Sequence, residues 1–308
     1  MKKVHDFVGS GPMSERNCLS PLITYPLTRA SDRNLQPGNP IFNHLHNMNF
    51  SNTLYTLTTL ALCTTPCFGD VRIGSQWQYF DYEETSPQNV KLNRENGDLP
   101  GVFLRAQTQL GFVWLEAGTS YAKGEVDYEG FTQGGRTLAT QTTQRLIDYR
   151  FRAGIPFELQ QSTLTPYLVI GFQRWDRAIH PTASTLGLDE FYRWWEAGAG
   201  AQWCGGFGYG EVCALGEVFG TVEGTVEVGL EPVGLGRPEL DLGEGTGVRM
   251  ELDWSPALAP HLSIGWFYER WDHGESNTVR VQRNGTVFGV SEPDSETVRH
   301  GLRLAIRF

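Results

Sequence analysis

From residue 70 to the C-terminus apolar and polar residues alternate with period 2, the connections between the alternating runs are short and long by turns, and many runs end on aromatic residues. These observations predict an all-β fold: a closed antiparallel up-and-down transmembrane β-barrel of about ten strands, within a range of eight to twelve. Successive strand residues face opposite sides, so one face of each run meets lipid and the other a polar interior.

The first run sets Val71, Ile73, Trp77 and Tyr79 against Arg72, Gly74, Gln76 and Gln78. Weaker alternations cover about 102–111, 113–123, 165–175 and 210–221. Ile147, Tyr149, Phe151, Ala153 and Ile155 alternate with Asp148, Arg150, Arg152 and Gly154, and Trp195, Ala197, Ala199, Ala201 and Trp203 with Glu196, Gly198, Gly200 and Gln202. Val248, Met250, Leu252 and Trp254 oppose Arg249, Glu251 and Asp253, and Leu262, Ile264, Trp266 and Tyr268 oppose Ser263, Gly265, Phe267 and Glu269. The last run places Leu302, Leu304, Ile306 and Phe308 against Gly301, Arg303, Ala305 and Arg307.

The polar faces separate a barrel from a soluble sandwich. They mix glycine with charges of both signs, which suits a lumen better than a solvated sheet face. Arg105, Glu116, Asp148, Arg150, Arg152, Glu196, Arg249, Glu251, Asp253, Glu269 and Arg303 are expected to point inward and to pair across a narrow, largely filled interior, because buried charges require partners. Trp77, Tyr79, Trp175, Trp195, Trp203, Trp254, Trp266 and Trp271 are expected to form the interfacial girdle, with ordinary core aromatics as the alternative.

Short connections fall near Gly111, at 157–163, at Cys204–Tyr209 and at Ser255–Pro260, and long ones near 83–100, 124–140, 176–190, 222–245 and 274–294. A barrel whose Asp70 end lies in the periplasm puts every short turn there and every long loop outside. Asn284-Gly285 in the last loop predicts a two-residue hairpin turn, so the ninth and tenth strands are expected to project beyond the bilayer.

The chain has 308 residues, 40% of them apolar and 19% charged, with 36 glycines and a net charge of −10. The acidity argues against a nucleic-acid partner, and the composition against a coiled coil, collagen or a disordered chain. Residues 1–47 read as a disordered leader or an early start, and 48–69 as a secretory signal peptide cleaved near Gly69, although Met48–Asn52, just before the apolar stretch Leu54–Cys63, carries no Lys or Arg. A buried helix at Leu54–Leu62 is the alternative. Past Gly69 only Cys204 and Cys213 remain, which in an exported chain suggests one disulfide; two unpaired buried thiols are the alternative.

The run GLRLAIRF, with Leu302, Leu304, Ile306 and terminal Phe308 at alternate positions, resembles the C-terminal strand of small bacterial outer-membrane β-barrel proteins. The resemblance covers about 70–308. It implies residence in the outer membrane among lipid and lipopolysaccharide, and assembly by the β-barrel machinery, with Leu302, Leu304, Ile306 and Phe308 as the recognised signal. A monomer is expected.

No catalytic residue, cofactor or metal site is expected, because the histidines are scattered and the glycine-rich Cys204–Gly210 precedes no helix. The role expected is structural or loop-mediated interaction, without enzymatic activity. A narrow porin-like channel is the alternative. A lipid-modifying hydrolase is the second, since His273 and Ser276 faintly resemble the His/Ser arrangement of lipid A deacylases, although three positions apart on a strand they would point oppositely.

Overall fold

The computed structural model describes residues 69–131 and 135–308. The leader at 1–47, and the signal segment at 48–69 apart from Gly69, lie outside the described residues. Ten long strands form the wall: β1 (Asp70–Thr85), β2 (Lys91–Leu110), β3 (Val113–Phe131), β4 (Thr137–Gly154), β6 (Ser162–Ile179), β7 (Leu188–Phe207), β8 (Gly210–Gly229), β10 (Gly245–Pro256), β11 (Leu262–His273) and β14 (Asp294–Arg307). Four short strands accompany them: β5 (Phe157–Leu159), β9 (Glu239–Asp241), β12 (Val279–Arg283) and β13 (Thr286–Val290).

Each wall strand pairs antiparallel with the next; β8 pairs with β10, β11 with β14, and β14 with β1. The last pairing closes a ten-stranded up-and-down barrel, with Ile73 opposite Ile306 and Trp77 opposite Leu302. Closure gives each wall strand a ladder on both sides, as the backbone requires where it meets lipid. Gly74 sits on this seam, where a Cβ would come within 2.1 Å of the Leu304 carbonyl oxygen.

At the level of Val71–Tyr79 the outer surface is an apolar belt. Ile73, Val102, Phe151, Leu168, Ile170, Val218, Met250, Leu252, Ile264, Leu302, Leu304 and Ile306 are exposed on it, while Arg72, Gln76, Arg105, Arg150, Glu217 and Glu251 are buried inside. Above Tyr79 the two faces exchange character. Asp81, Glu83, Arg94, Lys123, Glu125, Asp127 and Glu129 lie outside, and Phe80, Tyr82, Leu99, Val126, Tyr128, Trp175, Tyr192, Trp194 and Trp271 are buried inside. The barrel therefore carries a polar lumen within the bilayer and an apolar core in an extension beyond it.

This inversion corrects the outer connections. The sequence pattern assigns 83–100 and 124–140 to loops, but the ladder continues to Thr85 opposite Lys91 and to Phe131 opposite Thr137. Strands of 16 to 20 residues exceed the roughly 9–11 that cross a bilayer, so β1 to β4 run on as a wall standing in water. The Asn-Gly turn is present, with φ of 51° at Asn284 and 79° at Gly285. It joins β12 and β13 as a separate two-stranded sheet and does not prolong the wall strands.

Candidate functional site

The lumen within the belt is a continuous ion-pair network. Arg105 reaches from β2 to Asp253 (3.2 Å) and Glu251 on β10. Arg150 on β4 donates to Asp148 (3.2 Å), to Glu196 on β7 (2.9 Å) and to Glu217 on β8. Arg152 bridges Glu116 on β3 and Glu217 (2.8 Å). Arg249 joins Asp148 (3.2 Å) and Glu269 (2.7 Å from Nε), and Arg303 meets Glu251 at 3.1 Å. All eleven residues proposed for the lumen from sequence are thus turned inward. Arg72, placed on the polar face by alternation but not counted in the charge network, meets Asp253 at 3.5 Å; sequence reasoning missed Glu217, flanked by the inward Leu215 and Phe219, and Arg299, which meets Glu269 at 2.9 Å. Between Phe103, Arg105, Arg150, Arg249, Glu251 and Arg303 a cavity of about 30 Å³ remains, room for no more than a few water molecules.

A second cluster lies above the belt, in the extension. Arg177 on β6 is fully buried and meets three carboxylates: Glu84 on β1 at 2.9 Å, Glu95 on β2 at 2.6 Å and Glu190 on β7 at 2.5 Å. Its guanidinium lies 4.9 Å from the centre of the Tyr82 ring. Glu292, from the connection before β14, adds a fourth carboxylate and accepts from Tyr192 (2.6 Å) and Tyr82 (3.3 Å). One guanidinium cannot neutralise four carboxylates in so dry a place. Burial accordingly pushes Glu95 up to about 7 and raises Glu190 and Glu292 above the usual carboxylate range, the neighbouring Glu190 and Glu84 adding to the rise at Glu292. Sequence alternation gave no sign of this cluster, because its members fall where the two faces exchange character.

Trp77, Tyr79, Trp195, Trp203, Trp254 and Trp266 lie on the outward faces of their strands. Trp175 and Trp271 correct the girdle expectation. Trp175 stacks on Tyr192 with ring centres 4.6 Å apart and donates to Gln144, and Trp271 lies under Arg299 with 4.8 Å between the guanidinium and the ring. Both stand above the belt, where apolar side chains turn inward. Cys204 and Cys213 are directly opposed across β7 and β8 and joined by a disulfide, 4.1 Å apart at Cα. Leu302, Leu304, Ile306 and Phe308 are exposed on the outer face, and the Phe308 N–H donates to the Val71 carbonyl at 2.9 Å. His273 and Ser276 do not meet: the His273 ring pairs with the Thr221 hydroxyl at 3.2 Å, and Ser276 Oγ accepts from the Glu292 N–H at 2.7 Å. Burial lowers the His273 imidazole to about 4, so it is neutral at pH 7.

No family model matches the chain, and no curated protein does. Solved structures of similar shape are bacterial outer-membrane barrels. The outer-membrane protease OmpT of Escherichia coli has 8% identity and a TM-score of 0.49, the alignment covering 78% of this chain and 97% of that one. Ail of Yersinia pestis, an attachment invasion locus protein, has 10% identity and a TM-score of 0.31 over 78% and 99%. The toluene transporter TodX of Pseudomonas putida has 8% identity and a TM-score of 0.32 over 77% and 89%. The chain has the architecture of a bacterial outer-membrane β-barrel. The roles of these proteins differ from one another, and none transfers to this chain at such identities. The expectation that the chain lacks enzymatic activity is corrected to this extent: one of these similar structures is a protease.

Proposed function

We propose that the protein is an occluded outer-membrane barrel that acts as a scaffold, presenting its outer extension and loops for contact with partners at the cell surface. The observation that carries this reading is the filled interior: ion pairs from β2, β3, β4, β7, β8, β10, β11 and β14 interlock across the lumen around a cavity of about 30 Å³, and an aromatic core with Trp175, Trp194 and Trp271 stands above them. Opening a water path needs several of these pairs broken together. Breaking one partner of a buried pair costs roughly 3–5 kcal/mol. The matching reading of the chain's history is export by residues 48–69 with cleavage near Gly69, folding by the barrel-assembly machinery through Leu302, Leu304, Ile306 and Phe308, and residence as a monomer among outer-membrane lipid and lipopolysaccharide.

Planar-bilayer recording tests the scaffold reading. The purified protein is expected to stay silent at 100 mV in 1 M KCl, whereas a double Arg150→Ala, Arg152→Ala variant, which removes the guanidinium groups holding Glu116, Glu196 and Glu217, is expected to show discrete openings. Steady single-channel conductance from the unaltered protein would restore the porin-like alternative.

A further inference from the structure

The outer mouth is covered by the connection between β11 and β14, residues 274–293, and its attachment is unlike that of the wall. The hairpin β12–β13 forms a sheet of its own with no ladder to the barrel. Val290 is fully buried in the core of the extension, with Val279, Val281 and Phe288 partly buried against it. The ends of the segment are tied to each other, the Ser276 N–H donating to the Glu292 carbonyl at 2.9 Å and the Glu292 N–H to Ser276 Oγ at 2.7 Å. Its start is tied to the β8–β10 connection, the Gly274 N–H donating to the Glu244 carbonyl at 2.9 Å, the Asp241 N–H to Asn277 Oδ1 at 3.0 Å and Asn277 Nδ2 to Asp241 Oδ2 at 2.8 Å. The polar link from the segment into the interior is the Glu292 side chain, held by Tyr192 at 2.6 Å and Tyr82 at 3.3 Å.

We propose that residues 274–293 are a proton-controlled lid on the outer mouth, docked while the Glu292 carboxyl is neutral and released when it ionises. The groups that face Glu292 make this sign unavoidable. Tyr82 and Glu84 come from β1, Arg177 from β6, and Glu190 and Tyr192 from β7, while Glu95 on β2 and Tyr128 on β3 bear on Arg177 in the same chamber. Asp241, on the neighbouring connection, meets the lid through Asn277 and is exposed. Arg177 is already shared among Glu84, Glu95 and Glu190, so an ionised Glu292 enters a chamber whose cation is taken. Glu292 Oε2, Glu190 Oε1 and Glu84 Oε2 are buried without a hydrogen-bond partner, a condition far more costly for an ionised carboxylate than for a neutral one. Undocking carries Glu292 into water, where a carboxyl loses its proton near 4.3. The docked state holds more protons, so acid favours docking and rising pH favours release, by about tenfold per pH unit for one proton.

The test uses the full-length protein in liposomes, with donor and acceptor fluorophores attached through non-natural residues at Asn284 on the lid and Lys123 on the wall. Single-molecule transfer is recorded between pH 5 and pH 9. The proposal expects one docked distance at pH 5 and a second, different one whose share rises steeply with pH, by up to tenfold in the ratio per unit. It expects Glu292→Gln to stay docked throughout and Glu95→Gln to keep a pH response. A distribution that does not change between pH 5 and pH 9 in the unaltered protein overturns the lid, and needs no variant to be read. A Glu292→Gln protein that tracks the unaltered one, or a response abolished by Glu95→Gln alone, overturns the assignment to Glu292.

Discussion

Replacing Arg177 by Met should be among the most damaging single changes outside the bilayer. The side chain is fully buried, pairs with Glu84, Glu95 and Glu190 at 2.5 to 2.9 Å, and covers the Tyr82 ring. Met fills similar space without charge, so three carboxylates and Glu292 would remain in a dry chamber with no cation. Removing one partner of a buried ion pair costs about 3–5 kcal/mol. The carboxylates escape part of that cost by binding protons, and each proton taken up makes stability fall by about 1.4 kcal/mol per pH unit as pH rises. Unfolding by guanidinium in detergent, followed by tryptophan fluorescence, should therefore show a loss of roughly 3–5 kcal/mol at pH 8 and a clearly smaller loss at pH 5. A loss below about 1 kcal/mol at pH 8, the level of an exposed pair, or an equal loss at both values, would refute the picture of one guanidinium holding a buried carboxylate cage.

In the unaltered protein Glu95 sits near 7 against an ordinary value of 4.5. Its folded form therefore keeps a proton that the unfolded chain gives up, and its contribution, whole below about 4.5, should be lost as pH rises to about 7, by roughly 3 kcal/mol at 1.4 per unit; Glu95→Gln should flatten that slope in a denaturant series. Brominated lipids should quench Trp77, Trp195 and Trp266 and spare Trp175, Trp194 and Trp271, read on single-tryptophan variants. Trp175→Ala should cost about 3–5 kcal/mol as a buried aromatic truncation, while Trp77→Ala, at a site 62% exposed on the belt, should cost much less in the same unfolding assay. Reducing the Cys204–Cys213 bridge, which closes a loop of sequence separation 9, should lower stability by no more than about 3 kcal/mol and leave the folded gel mobility intact.

The barrel itself was legible because its signal is local. A strand in the belt must show lipid on one side and a lumen on the other, so Ile73 against Arg72 or Ile306 against Arg307 reveals the fold residue by residue, and alternate short and long connections fix the sides on which the turns lie. The same logic found the inward set from Arg105 to Arg303. It missed Glu217 because Leu215 and Phe219 share its inward face, which blurs the alternation there.

Sequence by itself predicted an up-and-down barrel of about ten strands, its lipid face and its charged lumen, because period-2 patterning is written within ten or so residues and the connection lengths repeat along the chain; the strand number and the closing β14–β1 seam came from the structure. Tertiary structure decided how far the walls run past the bilayer and what fills them. Beyond Tyr79 the solvent outside changes from lipid to water, so the outward positions become Asp81, Glu83 and Asp127 and the inward ones become Tyr82, Trp175 and Trp271; the phase flips, and a pattern read in one phase mistakes wall for loop. Arg177 gathers Glu84, Glu95 and Glu190 from positions 93, 82 and 13 residues away. No local pattern encodes such a meeting, because it exists only once the sheet has closed and brought β1, β2, β6 and β7 around one dry chamber.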